Sequence, residues 1–200
     1  MAYSSWVTPN KTSGSGNDTV SWTGQEHTGR NSRTTTATFA ASGVPNKVLT
    51  INQAGKTEFV TLDASAAVNK EGGTLTINGT SNSSKLTFTL KNNGINLMLP
   101  AKYKAGGVDA TSGTAITGDP GASKQYEFSI TFTGIKENAT IEDLVSQLTV
   151  TAAGGQTATC EITQAAGDAY LTIEPTTIEL TAEGTAVSVS VSSNTSWTVS

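Results

Sequence analysis

Apolar and polar residues alternate with a period of two through most of this chain, as in TTTATFAA (34–41), KVLTINQ (47–53) and AVSVSVSS (186–193). That period places successive side chains on opposite faces of an extended strand. Segments 18–23, 34–41, 47–53, 57–63, 73–78, 85–91, 95–99, 126–133, 146–153, 156–164, 169–174, 176–181, 185–192 and 196–200 all read as short strands. Gly, Pro, Asn and Ser punctuate them as turn residues do. One stretch departs from the pattern. NATIEDLVSQ (138–147) reads either as a helical turn, capped by Asn138 or Thr140 with acids in its first turn, or as a loop leading into a strand.

The strand pattern repeats. EGGTLTINGTSNSSKLTF (71–88) aligns with EGTAVSVSVSSNTSWTVS (183–200): Glu71 with Glu183, Gly72 with Gly184, Ser81 with Ser193, Asn82 with Asn194 and Ser84 with Ser196, each 112 residues apart (183 − 71 = 112). Gln53 of LTINQAG matches Gln164 of EITQAAG at 111, and ATFAASG (37–43) lines up with TVTAAGG (149–155) at 112. One complete unit is therefore expected over 56–166, preceded by the back part of a second unit (1–55) and followed by the front part of another (167–200). A unit of this length with about seven short strands points to an immunoglobulin-like β-sandwich. Within the middle unit, PAKYKAGGVDATSGTAITGDPGASKQ (100–125) is rich in Gly and Ala and reads as a long surface loop.

The two ends resemble the BACON domain, the Bacteroidetes-associated carbohydrate-binding module. That family opens on I-x-P-x-x-I-x-L-x-A-x-G, continues through alternating Val to S-N-x-S-W-x-V, and closes on an Arg-Thr strand and V-x-I-x-Q. TIEPTTIELTAEGTAVSVSVSSNTSWTVS (172–200) carries the opening, and SSWVTPNKTSGSGNDTVSWTGQEHTGRNSRTTTATFAASGVPNKVLTINQAG (4–55) carries the rest. Joined in that order they spell one domain of the family. The middle unit is less similar, with Lys85 where Trp197 stands. The resemblance implies an all-β, immunoglobulin-like fold, and a setting in virion proteins of phages that infect gut Bacteroidetes, where domains of this kind occur. It also implies sugar binding, through Trp22, Tyr103 and Tyr126 as candidate glycan contacts.

A front part with two or three strands cannot bury its apolar face alone. It leaves Ile178, Leu180, Val189, Val191 and Trp197 in water, and the back part has the matching deficit at Trp6, Val20, Phe39, Leu49 and Ile51. Burying a side chain of this size stabilises by roughly 1.5–3 kcal/mol, so five contribute on the order of ten. Closure within one chain is disfavoured. The middle unit separates the two ends by roughly 30–40 Å at ~3.3 Å per strand residue, and the four residues AGDA (166–169) reach ~14 Å at most. The expectation is exchange between chains, the tail of one completing the head of the next, into a ring or an open filament.

Composition narrows the function classes. Charged residues are only 14% of the chain against about a quarter in an average domain. The net charge is −4 without a basic stripe, which argues against a nucleic-acid partner. No apolar stretch is long enough for membrane insertion. The opening MAYSSWVTPNKTSGSG lacks the charged and apolar regions of a signal peptide. The expected setting is thus a virion assembled in the host cytoplasm, with an extracellular or cell-surface setting as the alternative if the sequence is part of a longer chain. Six N-x-S/T sequons, at Asn10, Asn17, Asn78, Asn82, Asn138 and Asn194, are what so much Asn, Ser and Thr gives by chance.

The single Cys160 reads as a buried thiol and the single His27 as a surface-loop residue. One of each cannot make a zinc site, and no D-x-D-x-D-G loop, Ser-His-Asp set or phosphate-cradling Gly loop is present. No catalytic residue, metal ligand or cofactor is expected. The expected function is a non-enzymatic virion protein (capsid decoration, head fibre or tail-associated) whose partners are copies of itself head to tail, other virion proteins and host surface glycans. The alternative expectation is a carbohydrate-binding fragment of a secreted or surface glycosidase or adhesin.

Overall fold

The structure is a computed structural model and describes residues 3–200. Fourteen strands and no helix are found among the described residues. Two four-stranded sheets face each other in the middle of the chain. One has the order β5 (Ser65–Val68), β12 (Thr157–Gln164), β11 (Leu144–Ala152), β7 (Leu86–Lys91). The other has the order β6 (Gly73–Ser81), β10 (Tyr126–Ile135), β8 (Tyr103–Ala105), β9 (Val108–Ala110). Every pairing is antiparallel except β5 on β12. Ile77, Ile130 and Phe132 from one sheet meet Leu86, Leu148, Val150 and Ile162 from the other, all at most 1% exposed. This core is what the alternation in the sequence encodes, one face of each strand turned inward.

The flanks differ. Residues 3–55 form two separate pairs, β1 (Val7–Pro9) with β2 (Trp22–Gly24) and β3 (Arg33–Phe39) with β4 (Lys47–Gln53). Only Val7 and Ala37 are buried there. Residues 167–200 form one pair, β13 (Leu171–Glu174) with β14 (Ser190–Ser193), and contain no buried residue. The contiguous core runs from Val60 to Ile162.

Several expectations change. Segment 100–125 is not a free surface loop: it forms β8 and β9 and buries Tyr103, Ala105, Ala110, Ile116 and Ala122. Its glycines make the turns, but its widely spaced apolar residues pack inward. Segment 57–63 forms only an isolated bridge, Val60 to Ser81, and the strand lies later, at β5. Segment 95–99 forms no strand, although Ile95 and Leu97 are buried. Residues 138–143 are a loop. The Asn138 amide donates to Glu142 O (2.9 Å) and Ala165 O (3.0 Å) and its Oδ1 accepts from Thr140 N (3.0 Å), so the capping residue ties a loop rather than starting a helix. Segments 176–181 and 196–200 form no strand, and 185–192 does so only from Ser190.

Candidate functional site

The flanking ladders copy the middle one. β3 and β4 pair with Arg33 opposite Gln53, as β11 and β12 pair with Leu144 opposite Gln164. Both members are displaced by 111 (144 − 33 and 164 − 53). Continuing along the ladders, Ala37 corresponds to Leu148, Phe39 to Val150, Leu49 to Cys160 and Ile51 to Ile162. The alignment of 37–43 at 112 is thus one residue out, a slip that moves each side chain to the opposite face. Leu148, Val150, Cys160 and Ile162 are all 0% exposed, whereas Phe39 is 45% and Leu49 37% exposed. At the other end, Leu171 opposite Ser193 copies Val60 opposite Ser81, yet Leu171 is 56% exposed and Val60 8%. Of the ten residues expected to build an exchanged core, Phe39, Leu49, Ile178, Leu180, Val189 and Trp197 are exposed, and Trp6, Val20, Ile51 and Val191 are half-buried. Val187, Leu171 and Ile173 belong with them and were not singled out in the sequence, although each continues an alternating run.

Alongside the head segment's uncovered face lies a cavity of about 530 Å³, lined by Tyr3, Pro9, Val20, Trp22, Ala37 and Phe39 among others.

A corner motif recurs with its hydrogen bonds. In the middle unit Ser81 Oγ donates to Phe59 O (2.7 Å) and accepts from Ser83 N (3.0 Å). Asn82 Oδ1 accepts from Phe59 N (2.7 Å) while its amide donates to Thr57 O (3.1 Å). In the tail segment Ser193 Oγ donates to Tyr170 O (2.8 Å) and accepts from Thr195 N (3.0 Å). Asn194 Oδ1 accepts from Tyr170 N (3.0 Å) and its amide donates to Asp168 O (2.9 Å). The Ser hydroxyl and the Asn amide each donate and accept at both corners, tying the preceding segment to the end of the strand. The tail segment therefore shares this corner's hydrogen bonds with the middle unit.

The junctions on either side of the middle unit are also alike. Lys56 N donates to Gly29 O (2.8 Å), and 111 residues on Gly167 N donates to Thr140 O (2.7 Å). The close approaches fall one position apart: a Cβ on Gly55 would lie 1.9 Å from Arg30 O and one on Gly167 2.3 Å from Asn138 O, whereas their counterparts at 111 are Ala166 and Lys56.

The first junction carries a charged clamp that the second lacks. Arg30 Nε lies 2.8 Å from Glu58 Oε1, and the guanidinium forks onto Asp119 at 2.7 and 2.8 Å and donates to Asn82 O (2.5 Å). Glu58 is 6% exposed and also accepts from Ser83 Oγ (2.9 Å) and Gly154 N (2.5 Å). The guanidinium holds the Asp119 carboxyl below the usual carboxylate range. At the second junction Asn194 donates to Ala139 O (3.2 Å), and half-buried Lys70 pairs with exposed Asp168. Arg30 was not singled out in the sequence. Glu58 inside an alternating strand was the available sign.

The three candidate glycan contacts do not form a platform. Tyr103 and Tyr126 are 4% and 8% exposed, so neither ring face is open to a sugar. Trp22 is half-buried and meets Tyr3 edge-on at 5.0 Å. Trp6 is half-buried under the Arg33 guanidinium, 4.5 Å from the ring centre. Burial pushes the Cys160 thiol up to about 11, away from thiolate chemistry. His27 Nε2 lies 2.6 Å from Asn31 O within its loop. Among the described residues no three His, Cys, Asp or Glu side chains gather as metal ligands do.

Tyr126 gives a pH prediction. Burial pushes its phenol up to about 12, and the hydroxyl donates to Ser83 O (2.8 Å). A raised folded-state value contributes stability that is present below the ordinary value of about 10 and is lost as pH rises through about 12. The stability gap between wild type and Tyr126→Phe, measured by urea unfolding, is expected to stay constant to about pH 10 and then shrink by on the order of 2 kcal/mol. A gap that is unchanged at pH 12 contradicts this.

No protein-family model matches the chain, and no curated protein does.

Proposed function

We propose that this is a non-enzymatic structural protein, a virion component, that assembles head to tail by half-domain exchange: residues 167–200 of one copy complete residues 1–55 of the next. One observation carries the proposal. Each flank leaves apolar ladder positions uncovered whose counterparts in the middle unit are buried, and the two flanks carry counterparts of different strands of that unit. The head segment has counterparts of β11 and β12, and the tail segment has counterparts of the bridge at Val60 and of the end of β6.

The immunoglobulin-like reading is supported by the middle unit's strand order. β6 and β10 lie in one sheet and β12, β11 and β7 in the other, with a first strand that reaches both sheets, through Val60 to Ser81 and through β5 parallel to β12. The virion setting rests on the resemblance of both ends to BACON domains. The backbone hydrogen bond that recurs at both junctions, Lys56 N to Gly29 O and Gly167 N to Thr140 O, supports a series of like units. Sugar binding is less favoured, because two of its three candidate rings are buried.

The test is the mass of the intact chain by light scattering over a concentration series. Multiples of 20.5 kDa that grow with concentration are expected. A cooperatively folded monomer throughout would overturn the proposal.

A further inference from the structure

Exchange between copies, if that reading holds, has a register that the middle unit specifies. β5 lies parallel to β12 with Ile162 opposite Ala66, Thr163 opposite Ala67 and Gln164 opposite Val68. On the head segment Ile51 and Gln53 stand at the Ile162 and Gln164 positions. On the tail segment the shared Glu, Gly and Ser-Asn positions put Ile178 at Ala66 and Leu180 at Val68 (178 − 66 = 180 − 68 = 112). β4 is paired only with β3, which leaves its other edge open among the described residues.

A second ladder agrees. SWTG (21–24) matches TFTG (131–134) at 110, which puts Val20 at Ile130 and Trp22 at Phe132. In β10 the Glu127 carbonyl accepts from Gly106 N, next to β8, so odd-numbered residues face that side. Around β2, Ser21 O accepts from Asn10 N, and Gln25 N donates to Trp6 O, so odd-numbered residues again face the paired strand β1. The backbone groups of Val20 and Trp22 therefore point to an unpaired edge, the one that β6 takes on β10. There Ile77 lies opposite Ile130 and Leu75 opposite Phe132. Their tail counterparts at 112 are Val189 and Val187, which are 37% and 44% exposed.

We propose that the partner surface is another copy's tail in this register. Residues 177–180 add parallel to β4, with Ile178 beside Ile51 and Leu180 beside Gln53. Residues 187–189 add antiparallel to β2, with Val189 beside Val20 and Val187 beside Trp22. The incoming side chains then fill the cavity beside Trp22 and Phe39. The register also accounts for the absence of strand at 176–181 and 185–189 in the single chain, since both await a ladder partner.

Disulfide trapping in the intact chain tests it. Asn52 and Glu179 correspond to Thr163 and Ala67, and Thr50 and Thr177 to Glu161 and Ser65, all on the outer face, so cysteines there leave the core untouched. The in-register pairs are Asn52→Cys with Glu179→Cys and Thr50→Cys with Thr177→Cys. The displaced pairs are Asn52→Cys with Thr177→Cys and Thr50→Cys with Glu179→Cys. Displacement by two residues separates the Cα atoms by about 8 Å, beyond the ~7 Å that a disulfide spans. Cys160 is buried and stays out of the reaction.

Under mild oxidation the in-register pairs are expected to give a ladder of covalent multiples, with that ladder lost for the displaced pairs. Equal or better trapping by the displaced pairs overturns the register while leaving exchange intact. A cyclised chain of single mass overturns the partner. Chains that are monomeric by light scattering before oxidation overturn exchange itself.

Discussion

Removing residues 168–200 is expected to leave a chain that stays monomeric at every concentration and unfolds almost as the intact middle unit does. None of the removed residues is buried, and the core from Val60 to Ile162 loses no member. The removed contacts that touch the middle unit are exposed, chiefly the Lys70–Asp168 pair and the Asn194–Ala139 hydrogen bond. Exposed contacts of this kind contribute about 0–1 kcal/mol. Assembly is another matter. Leu171, Ile173, Ile178, Leu180, Val187, Val189 and Trp197 go together, and each is worth roughly 1.5–3 kcal/mol when buried. That gain, on the order of ten kcal/mol, is set against the cost of association and of ordering the tail.

The reciprocal chain, lacking residues 1–55, should likewise remain single. Mixed at equal concentration, the two truncated chains have one usable end each, so they should form a pair and stop there. Added to the intact chain, either should shorten its polymers. Light scattering reads all three outcomes. Assembly of the chain lacking 168–200 to the same extent as the intact one would sink the exchange reading.

Arg30→Ala is expected to destabilise the middle unit by about 2–3 kcal/mol, somewhat below the 3–5 kcal/mol of breaking a fully buried pair, because the arginine keeps a fifth of its side chain exposed. The cost arises at Glu58. Its carboxylate is almost wholly enclosed, and Ser83 Oγ and Gly154 N do not neutralise it. Arg30→Lys should recover part of the loss, since a lysine supplies charge without the fork that grips Asp119. Arg30→Ala with Glu58→Gln should recover more, because no charge is then left buried.

The acid limb carries a signature as well. A depressed carboxyl contributes stability that is present above its ordinary value and is lost as pH falls through the folded one. Asp119 is the depressed group and Arg30 the cause. Wild type should therefore lose more stability than Arg30→Ala between about pH 5 and pH 3. Urea unfolding at both pH values is the measurement. A change below about 0.5 kcal/mol at neutral pH, the range of ordinary surface substitutions, would remove the clamp from this account.

The all-β class was legible because two-residue periodicity is a local property. Strands at 47–53, 73–78, 85–91, 126–133 and 146–153 appear where alternation put them, within three residues of their ends. Isolated residues misled. Tyr103, set among glycines and lysines, reads as exposed, yet its ring lies edge-on to Phe88 at 4.9 Å in the core. Nothing in a local window records that β8 will dock beside β10. The alignment at 37–43 failed by a single residue for a related reason. Composition around a turn is permissive, whereas a ladder of hydrogen bonds admits one register.

By itself the sequence determined which residues alternate, that similar segments recur after 111 or 112 positions, and that charged residues are only 14% of the chain. Those are properties of neighbours along the chain or of the composition as a whole. Only the tertiary structure decided that Arg30 reaches Glu58 and Asp119 across 28 and 89 residues, that Asn82 and Asn194 tie equivalent corners, and that the apolar faces of the two ends remain uncovered within one chain. Burial and ion pairing depend on which distant segments arrive at the same place, and a one-dimensional pattern does not carry that information.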